Sequence, residues 1–232
     1  MKADRSPALR ARGHFVDVWY ADAASWRTPQ QQLVHPSSPR DRVDAWQFPD
    51  AATRREFYIR RAFRRWVLGL YTGRPAGAIE ARRDLNGREF VDCGISRRRL
   101  YVSPARSGDC IAVALSTRRL GFDLELLQSR KYAEDIGTFL GWTATSTGDE
   151  FLHAWVSEEA RVKWARTGLA RAPRGDLSVR WGTISINDAF AVFAVAVAEV
   201  CVPRLRTFRV ESTTHRPCRQ RLAALMSTRN AR

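Results

Sequence analysis

Gly121-Phe-Asp-Leu-Glu125 is the stretch on which the organisation of this chain turns. It is short and apolar, and it follows a polar break at Ser116-Thr-Arg-Arg119. Such a segment is expected as a strand, where residues two apart share a side. Asp123 and Glu125 then stand on one face, with Leu120, Phe122 and Leu124 on the other. Two carboxylates held that close repel each other unless positive charge lies between them. A hard divalent cation such as magnesium is the usual solution, because it takes oxygen ligands and asks few of the protein.

A second stretch, Trp155-Val-Ser-Glu-Glu-Ala-Arg-Val-Lys163, belongs to a helix expected from about Glu150 to Thr167, capped by Asp149 and closed by Gly168. Its buried stripe is expected to draw on Phe151, Ala154, Trp155, Val162 and Ala165. Glu159 and Lys163 are four apart and share a face. Alone, such a pair is a surface ion pair worth about 0.3 kcal/mol, and Asp123 with Glu125 is an ordinary solvated strand edge. The combination carries more weight than its parts.

Outward from these blocks, the chain of 232 residues is long enough for one large domain or two small ones, and 44% apolar residues with 8 Trp and 11 Phe mark a globular protein. No apolar run approaches the length of a membrane span, and the basic, polar N-terminus lacks the pattern of a secretory signal, so a cytoplasmic location is the default expectation. The net charge of +15 is almost all arginine and calls for a polyanionic partner: nucleic acid, a phosphate ligand or an acidic protein. Cys93, Cys110, Cys201 and Cys218 have neither zinc spacing nor a close pair.

In order, His14 to Tyr20 is expected as an opening strand, and Thr28 to Arg42 as loop or short helix. Asp50 is placed to cap a helix from Ala51 to about Tyr71 with Phe63, Trp66, Val67 and Leu70 on its apolar stripe. Most of its arginines, from Arg54 to Arg65, are expected on a solvated face. Strands follow at Ala78 to Arg82, Leu100 to Ser103 and Cys110 to Leu115, with a hairpin turn at Asn86-Gly87. The intervening Pro104-Ala-Arg-Ser-Gly-Asp109 is expected as a loop able to wrap a phosphate with backbone N–H groups. Tyr132 to Leu140 is expected as a short helix, Ser178 to Ile186 and Ala189 to Val197 as strands, and Leu205 to Val210 as a further edge strand. The similar element order before and after Ser116 to Arg119 hints at an internal duplication.

The two blocks resemble the signature motifs of the 4′-phosphopantetheinyl transferases, in particular the larger pseudo-dimeric type that serves surfactin synthetase. Leu120-Gly-Phe-Asp-Leu-Glu125 is similar to (V/I)-G-(I/V)-D-(I/V/L)-E, and Trp155-x-x-x-Glu-Ala-x-x-Lys163 to W-(S/T/C)-x-K-E-A-x-x-K. Trp46-Gln-Phe-Pro-Asp with Arg54-Arg-Glu-Phe57 is similar to R-F-x-F-x-x-D-R-R-R-F-L-L-A-R, Asn86-Gly87-Arg88 to a G-K-P turn, and Val102 to Gly108 stands where the family has F-N-L-S-H-S-G. The chain departs from the pattern at Arg106, which replaces the family's His, at Glu158, which replaces a Lys, and after Arg88, where Pro is missing.

The resemblance implies an α+β fold of two similar α/β halves with pseudo-twofold symmetry and an active site in the cleft between them. Residues 1–118 would form the half that binds coenzyme A, 119–212 the half with the metal and catalytic motifs, and 213–232 a basic tail. It further implies transfer of 4′-phosphopantetheine from coenzyme A to a serine of an acidic acyl, aryl or peptidyl carrier protein, by a monomer, with release of 3′,5′-ADP. Magnesium would be held by Asp123, Glu125 and Glu159. Glu159 and Lys163 would be catalytic, and Arg40, Arg42, Arg55, Arg88, Arg106 and Ser107 would contact coenzyme A. Two rivals stand beside this expectation: a homologue that binds coenzyme A or carrier protein without turnover, and a basic nucleic-acid-binding protein, which would lack any recognisable binding module.

Overall fold

Alternation of apolar side chains along β1 (Phe15–Asp22) and β5 (Cys110–Ser116) sets the layers of the molecule. The computed structural model describes residues 14–24, 26, 38–93, 98–126, 148–166, 177–186, 189–198 and 204–210. Phe15, Trp19, Ile111, Val113 and Leu115 face one way, onto the long helix α2 (Ala51–Thr72), and join Phe63, Val67 and Leu68 in one core. Val16, Val18, Ala112 and Ala114 face the other way and meet Leu120, Phe122, Phe193 and Val195 in a second core. A third cluster, with Val156, Ala160, Val192 and Ala194, fills the space beneath the helix α3 (Gly148–Ala165). The result is an α+β stack of helix, sheet, sheet and helix.

The larger sheet has the order β2 (Arg82–Arg83), β3 (Glu89–Cys93), β4 (Arg98–Ser107), β5, β1 and β9 (Arg204–Val210). The smaller has the order β6 (Leu120–Leu126), β8 (Ala189–Ala198) and β7 (Leu177–Ile186). In both, a strand leads to a helix and then to a hairpin whose second strand returns antiparallel to the first: β1 with β5, and β6 with β8. β9 lies parallel to β1 and forms the sheet's edge.

Helix α2 is bounded as its sequence requires. The Asp50 carboxylate accepts from the Thr53 N–H at 2.7 Å, and Gly73 ends the helix at φ 68°, in the left-handed region that glycine tolerates. A shorter helix, α1 (Pro39–Ala45), precedes it, held by a reciprocal cap between Ser38 and Asp41.

Four local expectations need correction. Pro104 to Ser107 is not a loop but the end of β4, paired from Pro104 with Val113 to Ser107 with Cys110; the turn is only Gly108-Asp109. Ala78 to Arg82 is a short 3-10 turn (Ala76–Ala78) followed by a two-residue strand. On α3 the buried stripe is Leu152, Val156 and Ala160, Ala154 is exposed, and Asp149 lies inside the helix. Arg64 and Arg65 are buried, not solvated: Arg65 bridges Asp41 and the Ile79 carbonyl, and Arg64 pairs with Glu89. The expected helix at Tyr132 to Leu140, Cys201, Cys218 and the tail from residue 213 lie outside the described residues.

Candidate active site

Gly121 decides how the site is assembled. A Cβ on this residue would overlap the Ala160 carbonyl oxygen and the Trp164 amide nitrogen. Its absence lets the backbone of α3 rest directly on β6. The even residues of β6 are spent on the core between the sheets, so the odd ones, Gly121, Asp123 and Glu125, face α3. Helical spacing on α3 brings Lys163 to this face, and its Nζ donates to Asp123 Oδ1 at 2.6 Å across 40 residues of sequence.

Three carboxylates surround this ammonium. Burial pushes the Asp123 carboxyl above its ordinary value, and Lys163 offsets part of the rise. Burial also raises Glu125, against a hydrogen bond from Ser107 and with the help of the neighbouring Asp123 charge. Glu159 is raised first by burial and then by Asp123, with Glu125 and Glu158 adding to it. Each carboxylate thus feels the others, and one ammonium does not neutralise them. Glu125 Oε2 is buried and meets no donor among the described residues. Glu158, at the position of the family's Lys, is paired with Arg161 at 3.6 Å.

Among the described residues no group of three His, Cys, Asp or Glu side chains is placed to hold a metal ion. Magnesium does not require one, since it keeps water and takes one or two carboxylates together with substrate phosphates. The orphan oxygen of Glu125 and the unbalanced charge of the cluster fit such a hard cation.

Next to the cluster lies a cavity of about 570 Å³ that reaches Lys163 but whose walls do not include the three carboxylates. Arg60, Arg61, Arg64, Arg83, Arg88, Arg106 and Arg166 line it, against Glu89 as its one acid among the described residues. Phe48, Phe57 and Tyr101 add aromatic wall. Most of the lining belongs to the first 118 residues, while Leu120, Lys163 and Arg166 come from the later part of the chain. Burial lowers the Arg60 pKa, and so does the nearby Arg106. Burial and then Arg119 do the same to Arg88.

The coenzyme A residues expected from the sequence are only partly gathered. Arg88 and Arg106 line the cavity; Arg40, Arg42 and Arg55 are exposed and do not. Arg106 and Ser107 are strand neighbours, so they point to opposite faces of β4. Arg106 meets Glu56 of α2 at 3.7 Å, whereas the Ser107 hydroxyl accepts from the Leu126 N–H at 3.1 Å and bonds Glu125. Ser107 is therefore a support for the carboxylate cluster. Sequence reading missed Arg60, Arg61, Arg64, Arg83 and Arg166, because on an arginine-rich helix or turn no local signal separates a cavity arginine from a solvated one.

No protein-family model matches the chain, and no curated protein matches it significantly.

Proposed function

We propose that this protein is a magnesium-dependent transferase acting on a pyrophosphate-linked co-substrate. More narrowly, we read it as a 4′-phosphopantetheinyl transferase that uses coenzyme A to modify a carrier-protein serine. The observation that carries this reading is the convergence of Asp123, Glu125, Glu159 and Lys163 beside an arginine-lined cavity. Either motif alone would be an ordinary surface feature; their meeting gives a charged centre suited to polyphosphate chemistry. In this reading β1–α2–β4–β5 and β6–α3–β7–β8 are pseudo-twofold halves, supported by their shared connectivity, and coenzyme A occupies the cavity.

Asp123, Glu125 and Glu159 would hold magnesium, which when bound neutralises charge building on the pyrophosphate. Lys163 spends one of its three donors on Asp123 and keeps two for the pyrophosphate. The cavity arginines other than Arg88 bind the phosphorylated adenosine end. Glu159 takes the serine proton. The serine oxygen bonds to the phosphorus bearing the pantetheine arm; the bond from that phosphorus to the bridging oxygen breaks, and 3′,5′-ADP departs. The excess of positive charge speeds encounter with acidic carrier proteins.

Incubation with coenzyme A, magnesium and a panel of apo carrier proteins is expected to give a ~340 Da mass gain on at least one, the size of the group moved in this phosphoryl-type transfer. Asp123→Ala is expected to abolish that gain. Coenzyme A binding without any gain would instead leave a binding protein, and tight, steeply salt-dependent nucleic-acid binding without coenzyme A affinity would replace both.

A further inference from the structure

We propose that Asp84 is a positioning residue that acts through Arg88 to hold the end of α3 on which Glu159 and Lys163 sit. The kinetic part of its test rests on the transferase reading above; the structural part does not.

Asp84 opens the tight turn between β2 and β3. Its Oδ1 accepts from the N–H groups of Asn86 and Arg88, both at 2.9 Å, and Gly87 closes the turn at φ 75°. Its other oxygen makes no hydrogen bond among the described residues but faces two guanidiniums as longer ion pairs, Arg88 Nη1 at 3.8 Å and Arg119 Nε at 3.9 Å, and the side chain is only 6% exposed. Arg88 is thereby aimed away from its own hairpin. Its Nε donates to the Trp164 carbonyl at 2.9 Å, and its guanidinium lies over the Trp164 ring, 5.5 Å from the centroid.

Trp164 follows Lys163 directly. Carbonyls in the last turn of a helix have no partner within it, and a cation is favoured there. Arg88 supplies both the donor and the charge. The helix end answers in kind: Arg166, at φ 60°, lays its guanidinium over Gly87, so that a Cβ on Gly87 would come within 3.3 Å of Arg166 Nη2. Hairpin and helix end thus clasp each other, with Asp84 as the anchor. Arg88 lines the cavity, and its Nε and its guanidinium face are directed at Trp164. Through Trp164 it serves the placement of Lys163.

Asp84→Asn keeps an acceptor for the turn amides and removes the charge that Arg88 and Arg119 face. The expected result is a kcat lowered on the order of 10- to 100-fold, the usual penalty for a catalytic group displaced by about an ångström. KM for coenzyme A is expected to stay within about twofold, the mark of lost transition-state and not ground-state interaction. Without any ligand, amide hydrogen exchange in residues 160–166 is expected to quicken. Arg88→Lys, which keeps the charge but lacks the planar fork, is expected to behave alike and carries the comparison if Asp84→Asn does not fold. A raised KM with kcat retained, or unchanged exchange at the helix end, overturns the proposal. Should the unaltered protein transfer nothing, the transferase reading falls, and the exchange measurement decides the clasp by itself.

Discussion

Glu125 is the residue at which stability and proposed activity pull apart. It carries a buried oxygen without a donor among the described residues and a pKa raised by burial and by Asp123. A carboxyl whose pKa is higher in the folded than in the unfolded state binds more protons when folded. Its contribution to stability is then greatest below the ordinary value and falls as pH rises through the raised one. Asp123, Glu125 and Glu159 all shift upward, from ordinary values of 3.8 for Asp and 4.5 for Glu, so their summed contribution declines as pH climbs from that range toward neutrality. Glu125→Gln is therefore expected to raise the metal-free Tm at neutral pH by on the order of a few degrees, a gain that vanishes in acid, while abolishing transfer. Thermal melts of both proteins from acid to neutral pH check it. Magnesium is expected to raise the Tm of the unaltered protein at neutral pH and to leave Glu125→Gln almost unmoved. The placement of these candidate residues was legible because strand and helix periods place Asp123 with Glu125 and Glu159 with Lys163. Asp84 was not, because Asp-Leu-Asn-Gly reads as a turn whether or not its carboxylate anchors anything beyond it.

Between elements, the contact of α3 with β6 fixes the site, and Gly121 is what permits it. Gly121→Ala would drive a methyl into the Ala160 carbonyl and the Trp164 amide, backbone groups that cannot rotate aside. Overpacking of this kind costs about 1–3 kcal/mol, and here the relief has to come from lifting α3. Lys163 would lift with it and loosen from Asp123. The expected outcome is a lowered urea midpoint together with a loss of magnesium affinity, both measurable without substrate. Retained affinity in a destabilised protein would show that the site survives without close helix contact. The same scale explains the misread phosphate loop. Pro, Ser and Gly in Pro104 to Asp109 signal a turn, but β5 offers a full antiparallel edge, and pairing extends β4 to Ser107 despite the proline. Cross-strand pairing outweighed local propensity, as tertiary context does for short segments.

Across the whole molecule, β9 carries a late part of the chain onto the first strand. Leu205 to Val210 was expected as an edge strand, but its neighbour was not foreseen, since parallel pairing over nearly the full chain leaves no local mark. The neighbour is fixed by Asp17, which is fully buried on β1. Arg206 donates to both its oxygens at 2.6 Å, Tyr71 donates to it at 2.5 Å, and Trp19 donates to the Tyr71 hydroxyl at 2.8 Å. The Arg206 guanidinium also lies 5.6 Å from the centroids of Phe15 and Phe208. Burial still raises the Asp17 carboxyl above its ordinary value against these partners. Desolvation therefore consumes much of what the ion pair gains, and the pair specifies where β9 docks more than it adds net stability. Arg206→Met is expected to cost about 3–5 kcal/mol, because it leaves Asp17 buried without its cation. Asp17→Leu with Arg206→Met is expected to recover most of that loss. A double-mutant cycle in urea measures both, and a double variant no more stable than Arg206→Met would assign the stabilisation to the ion pair itself.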